Sequence, residues 1–269
     1  MLDKSFSGLP QSETVMRLLT ANTKTKTSYG GGFVESIDGE GSRTSRRAEI
    51  DWFYFVNGSE APLGAAATKV RDGDRVWWDQ RNWSATEHVR AVVGSFPEPF
   101  VHGPGTEKKL PVRVECVEIS SPPCKKVSKM LASFGVPAAT GLFRASITEE
   151  TLRVIVGPWN ALREDEALAQ LEAGPQLSGV YARPTSTGAR IDLLGPDGTS
   201  ARSLGAGAGL VAATALGEQP PVWAITGTDS AGVAAAAAAF NERALTSRYA
   251  LALDPGAPAI SLPVTGASK

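Results

Sequence analysis

Hydrophobic and polar positions change period several times along the chain, and each change marks an element. Ser12-Glu13-Thr14 offers a cap, after which Val15, Leu18 and Leu19 at i, i+3 and i+4 predict a short helix with one core-facing stripe. Asn22 to Gly32, polar and glycine-rich with Lys24 and Lys26, reads as an exposed connection. Phe33 to Ile37 reads as a strand stopped by Asp38-Gly39, and Glu40 to Ala48, with Arg43, Arg46 and Arg47, as a solvated hairpin tip rather than an anion site.

The densest apolar stretch runs from Ile50 to Trp83 and holds four of the six tryptophans. Alternate side chains of a strand point to opposite faces, so Trp52, Tyr54 and Val56 share one face while Phe53, Phe55 and Asn57 share the other. Both faces are apolar. A small domain buries one face of such a strand in its own core, so the second needs a cover: another domain, a partner or a ligand. Asn57-Gly58 closes this strand, Asp72-Gly73-Asp74 opens the next, and there Val76 and Trp78 alternate with Trp77 and Asp79.

Thr14-Val15 with Leu18-Leu19, Gly31 to Gly39, Asp51 to Gly58, Gly64-Ala65-Ala66 and Gly73-Asp74-Arg75-Val76-Trp77-Trp78 follow one another in an order that resembles the transcobalamin C-terminal-like domain of actinobacterial and clostridial surface proteins. The resemblance covers the first third of the chain. It implies a β-grasp fold, export, and binding of a soluble ligand, with cobalamin first among the candidates and a membrane vitamin transporter as partner. A corrin is a broad apolar plate fringed with amides. Trp52, Tyr54, Trp78 and Trp83 are the side chains expected to lie against it, with Asn57, Gln80 and Asn82 at the rim. A corrin cobalt can take an imidazole as axial ligand, which makes His88 and His102 candidates beside the plainer reading of surface histidines.

Phe96 to Gly105 is rich in proline and glycine and places the domain boundary there, giving a β-grasp-like domain over 1–100 and an α/β sandwich domain over 106–269, an α+β chain overall. In the second domain Val112 to Ile119 predicts a strand and Pro122-Pro123 a helix carrying Val127, Met130, Leu131 and Phe134. Leu152 to Val156 and Val222 to Thr226 each predict a strand, then a glycine turn, a helix and a further strand. This pattern fits either an internal duplication or two ordinary α/β units. Between them Arg190 to Leu194 turns at Pro196-Asp197-Gly198.

Charge and motifs remove several function classes. A net charge of −1 leaves no electrostatic footprint for nucleic acid. Gly205-Ala206-Gly207-Ala208-Gly209 lacks the strand and the acid of a dinucleotide loop, and no hydrolase elbow, zinc-protease motif or P-loop lysine occurs. Gly227-Thr228-Asp229 reads as a helix cap, and Asp165-Glu166 as a solvated helix face. No catalytic residue, metal site or required cofactor is expected. Cys116 and Cys124 are the only cysteines, and their spacing fits neither a redox pair nor a zinc site; a disulfide is the simplest reading and two buried thiols the alternative. The segment before Gln11 shows no leader pattern, and a start that lacks its leader is the expectation for a protein that is extracellular or attached to the cell surface. A scaffold or protein-interaction module with no small ligand is the competing expectation.

Overall fold

The structure is a computed structural model describing residues 4–45, 48–105, 108–145 and 150–265. Leu2, Arg46, Arg47 and the expected start of the second domain at position 106 lie outside the described residues. The chain is mixed α+β.

Thr14 caps α1 (Val15–Asn22) by accepting the Arg17 amide; Val15 and Leu19 of the predicted stripe are buried together with Met16, while Leu18 packs at the margin, half-buried. The polar connection that follows contains a strand. β1 (Thr25–Ser28) pairs antiparallel with β2 (Phe33–Ile37), which pairs with the two-residue β3 (Glu40–Gly41). No apolar alternation announces β1, because its side chains lie at the surface and its stability comes from the backbone ladder. A second sheet holds β4 (Arg43–Thr44), β5 (Glu49–Val56), β6 (Ser59–Glu60) and β7 (Val76–Asn82), with β7 running antiparallel to β5 from Ile50↔Asn82 to Val56↔Val76. The β5–β7 pair is the aromatic ribbon.

The larger half begins with β8 (Val112–Cys116), α2 (Pro122–Ser133), β9 (Ala138–Leu142) and β10 (Leu152–Pro158). Three one-turn helices follow, α3 (Trp159–Leu162), α4 (Glu166–Ala169) and α5 (Pro175–Ser178). A small antiparallel sheet of β11 (Ala182–Pro184), β12 (Ile191–Leu194) and β13 (Ser200–Leu204) comes next. The chain ends with β14 (Gly209–Thr214), β15 (Val222–Gly227), α6 (Ser230–Ala239), α7 (Glu242–Leu245), β16 (Ala250–Leu253) and β17 (Ile260–Leu262). The main sheet runs β17-β16-β14-β15-β10-β8-β9, parallel from β15 to β9 and antiparallel on the other flank.

Both faces of this sheet are buried, as its nearly continuous apolar strands require. Val154, Val156, Val211, Trp223 and Ile225 face a core shared with α2 and α6. Ile155, Leu210, Ala212 and Ala224 face a second core that holds Trp159, Leu162 and Leu168 from the short helices. The two strand-glycine-helix units diverge at this point, because the helices after β10 and after β15 land on opposite faces of the sheet. The helix expected from Ser230 to Leu245 breaks at Phe240, whose ring turns inward to Phe96 and Trp223, and Asn241 then caps α7.

The proline-rich segment is no free linker. Phe96 and Phe100 are fully buried in the α2/α6 core, with ring centroids 6.2 and 5.0 Å from Trp223. Arg75 donates to the Phe96 carbonyl and pairs with Glu242 at 2.5 Å, tying the segment to both halves. Composition marked this stretch as a boundary because its backbone cannot join a sheet, but its phenylalanines give it a packed role. The Cys116–Cys124 disulfide joins the end of β8 to the first turn of α2. Among the described residues no helix is long and apolar enough to cross a membrane.

Candidate functional site: the aromatic ribbon and the cleft at its end

The ribbon's two faces meet different neighbours. On the first, Tyr54 and Val56 join Val15, Met16, Leu19 and Val34 in the small core under α1, with Trp52, Val76 and Trp78 packed at its margin. Tyr54 and Trp78 lie 4.9 Å apart. The Tyr54 hydroxyl donates to the Leu63 carbonyl and shares a 2.7 Å hydrogen bond with Thr68, while burial pushes its pKa up. The polar side chains on this face are used internally as well. Trp52 Nε1 donates to the Glu40 carbonyl at 3.0 Å and Gln80 to the Gly41 carbonyl at 2.8 Å, which hooks β3 onto the ribbon. Asn82 Oδ1 accepts the amides of Glu49 and Ser84. Asn57 is only 1% exposed at the turn, donating to Asp74 and to the Gly105 carbonyl while accepting the Arg75 amide.

The second face carries Phe53, Phe55, Trp77, Asp79, Arg81 and Trp83, and it is covered by the chain's own larger half. Phe55 and Trp77 pack with Tyr249, at centroid distances of 6.0 and 5.4 Å, beside Val89 and Val92. Toward the far end this contact turns polar. The Tyr249 hydroxyl donates to Asp79, and the Arg81 guanidinium lies 3.7 Å over the Phe53 ring. The apolar surplus that the sequence leaves on this strand is thus satisfied within the molecule.

Burial holds the Asp79 carboxyl above its ordinary range, while the Tyr249 hydroxyl and the charge of Arg81 pull it back down. An acid whose folded pKa is raised contributes stability that is fully present below its unfolded value and is lost as pH rises through the folded one. The ionised group therefore costs stability at neutrality. Asp79→Asn retains an acceptor for Tyr249, so its melting temperature relative to wild type should climb as pH increases from about 4 toward 7. An offset that stays constant in melts across that range would contradict this account.

Where the second face ends, the two halves part. A cleft of about 520 Å³ opens there, lined by Trp83, His88 and Arg90 on one side and by Gln170, Gln176 and Leu177 on the other. Trp83 is half-buried, with Nε1 donating to Asp51 at 2.8 Å, and Leu177 is largely exposed. His88 Nδ1 stands 3.2 Å from Glu60, whose other oxygen is held by Arg81 at 2.8 Å. His102 behaves differently. Buried Glu98 takes both its amide and its Nδ1, and its ring fills the space where a side chain on Gly73 would stand. Sequence reasoning grouped Trp52, Tyr54, Trp78 and Trp83 as one plate. The structure brings the first three together and sends Trp83 to the opposite face, where it lines a cleft with Gln170, Gln176 and Leu177; those three come from a segment with no motif to announce it.

The remaining sequence candidates have structural employment. Asp229 closes the α6 N-terminus by accepting the Gly232 and Gly207 amides, which lowers its pKa. Gly209, Gly227 and Gly232 let α6 lie directly on β14 and β15. Asp165 is the cap of α4 rather than a mid-helix residue, because the expected helix breaks into short turns, and it pairs with Arg153 at 2.7 Å. That arginine, which with Asp165 lines a second open cleft of about 880 Å³, also meets buried Glu115 through two bonds, so its own charge is answered within the chain. Among the described residues no group of three or more His, Cys, Asp or Glu is placed to hold a metal ion.

Residues 12–82, the helix and ribbon together, match the family described as a domain of unknown function, DUF4430. No curated protein matches the chain. No solved structure matches it either.

Proposed function

We propose that the chain is a non-catalytic, extracytoplasmic ligand-binding protein that uses the cleft between its two halves, with a corrinoid such as cobalamin as the leading ligand and a membrane vitamin transporter as the partner that receives it. The observation that carries this reading is the cleft itself. There an aromatic side chain of the ribbon, Trp83, opens to solvent beside apolar Leu177 and the amides of Gln170 and Gln176. Within a lining that is otherwise mostly polar, with Glu49, Ser84, Thr86 and Glu87 beside them, Trp83 and Leu177 supply two apolar contacts and Gln170 and Gln176 the amides that suit one edge of an apolar plate fringed with amides. The motif resemblance supplies the ligand class and supports a β-grasp-like reading of the N-terminal half, with α1 laid across antiparallel strands. The disulfide is compatible with an oxidising compartment.

Titration with cobalamin, followed by tryptophan emission, tests the proposal. Corrins absorb strongly, so a saturable part of the emission should be quenched. Trp83→Phe should remove that part, while Trp52→Phe and Trp78→Phe retain it. Emission that stays unchanged on titration ends the corrinoid reading.

One observation favours the second reading, a surface scaffold or interaction module without a small ligand: both broad faces of the ribbon are occupied by the chain itself. Under that reading no corrinoid quenches any tryptophan.

A further inference from the structure

We infer that the free edge of the main sheet at β9 takes up an extended acidic segment of a partner protein as an added strand. β9 ends the sheet, so one row of its backbone groups faces no strand among the described residues. The Phe143 amide turns inward to the Cys116 carbonyl, and backbone groups alternate in direction along a strand, so the amides of Thr140 and Leu142 point outward. Proteins ordinarily protect such an edge with a proline, a bulge or a charged side chain in the strand itself. β9 has none of these. It reads Ala138-Ala139-Thr140-Gly141-Leu142 and keeps an unbroken register with β8 from Val112↔Ala138 to Cys116↔Leu142. Ala139, Thr140 and Leu142 are exposed, Leu142 at 56%.

The charges around the edge select the occupant. α2 leans over one face of β9, where Ser128 Oγ and Thr140 Oγ1 share a 3.0 Å hydrogen bond. Lys125 and Lys129, at i−3 and i+1 from Ser128, follow it around the helix on the side away from buried Val127 and Leu131. Both are exposed, and neither meets a carboxylate among the described residues. Arg113 lies against the other face. Its guanidinium crosses the strand at Gly141, where a side-chain carbon would stand 2.6 Å from Nη2. Glu115 is already engaged by two bonds from Arg153, and Arg113 Nε, 3.9 Å from that carboxylate, makes no hydrogen bond. Cations therefore flank the edge on both faces. A second copy paired through β9 about a two-fold axis would set the α2 lysines beside those of its partner, so like charge opposes it. An added strand bearing carboxylates answers the lysines on one face and Arg113 on the other, while its backbone bonds to Thr140 and Leu142.

The test uses the whole chain and two fluorescein-labelled peptides, one alternating glutamate with valine and the other lysine with valine. Anisotropy should rise saturably with the first, and the affinity for the second should be at least about tenfold lower. Added salt should weaken the complex, and amide hydrogen exchange should slow across 138–142. Lys125→Glu with Lys129→Glu, at exposed positions that leave the core untouched, should lower the affinity at least about tenfold. Thr140→Pro removes one outward amide and no bond to β8, and should abolish binding. Equal binding of the two peptides, no binding of either, slowed exchange confined to other strands, or unchanged affinity in both variants would overturn the assignment. So would a dimer in sedimentation that Thr140→Pro separates, because a second copy would then be the occupant.

Discussion

Phe55→Ala is expected to cost about 3–5 kcal/mol of stability. Phe55 is fully buried and belongs to the same core as Ile155, Trp159 and Tyr181 of the larger half, although it lies on a strand of the smaller one. Its removal leaves a void between Trp77 and Tyr249 that neither sheet can close, because the ribbon is fixed by its ladder to β7 and Tyr249 by its bond to Asp79. The loss should fall unevenly. Amide hydrogen exchange should accelerate across residues 12–82 while β10, β14 and β15 stay protected, since their second core lies on the far side of the main sheet. Phe55→Leu, which refills most of the space, should recover the greater part. A change below about 1 kcal/mol in denaturant unfolding would mean that the two halves do not depend on this contact.

Removing the disulfide, through Cys116→Ser with Cys124→Ser, is expected to cost about 2–3 kcal/mol from released loop entropy. The two cysteines are separated by 8 positions and both are buried, at 0% and 1% exposure, against Val114, Val127 and Leu131. Serine hydroxyls at those positions lose the bridge and add unsatisfied polar atoms to an apolar core, so the double variant should fall slightly below the reduced wild-type chain. Urea unfolding of wild type with and without reductant, beside the double variant, measures both differences. Equal midpoints for oxidised and reduced wild type would remove the bridge from the list of forces that hold β8 to α2.

Much of the fold was legible wherever burial imposes a period on the chain. The α1 stripe, β2, both ribbon strands, the α2 start at Pro122 and the turn at Asp197-Gly198 all appear where spacing or turn chemistry places them. Missed features share a different cause. β1 is polar, so it carries no alternation. Glu115 sits where a strand alternation assigns a solvent-facing residue, yet it is wholly buried because Arg153 of the neighbouring strand meets it with two hydrogen bonds. A pairing of that kind depends on strand order, which one sequence does not display. The site was half legible for the same reason. The need for a cover over the ribbon follows from alternation alone, but the identity of the cover, Tyr249 with the segment around Val89 and Val92, depends on a contact about 170 residues distant. His88 stands out in the sequence, whereas its contact with Glu60, and through it with Arg81, does not.

The buried phenylalanines of the 96–100 segment have a practical consequence. Cutting the gene at the stretch that composition marks as a seam would pull Phe96 and Phe100 out of the core they help to fill, so separate expression of the two pieces should give insoluble fragments. A reporter, affinity tag or permuted terminus belongs instead at the solvent-facing stretch 255–259, between β16 and β17, where a side chain added to Gly256 would meet nothing within 4 Å.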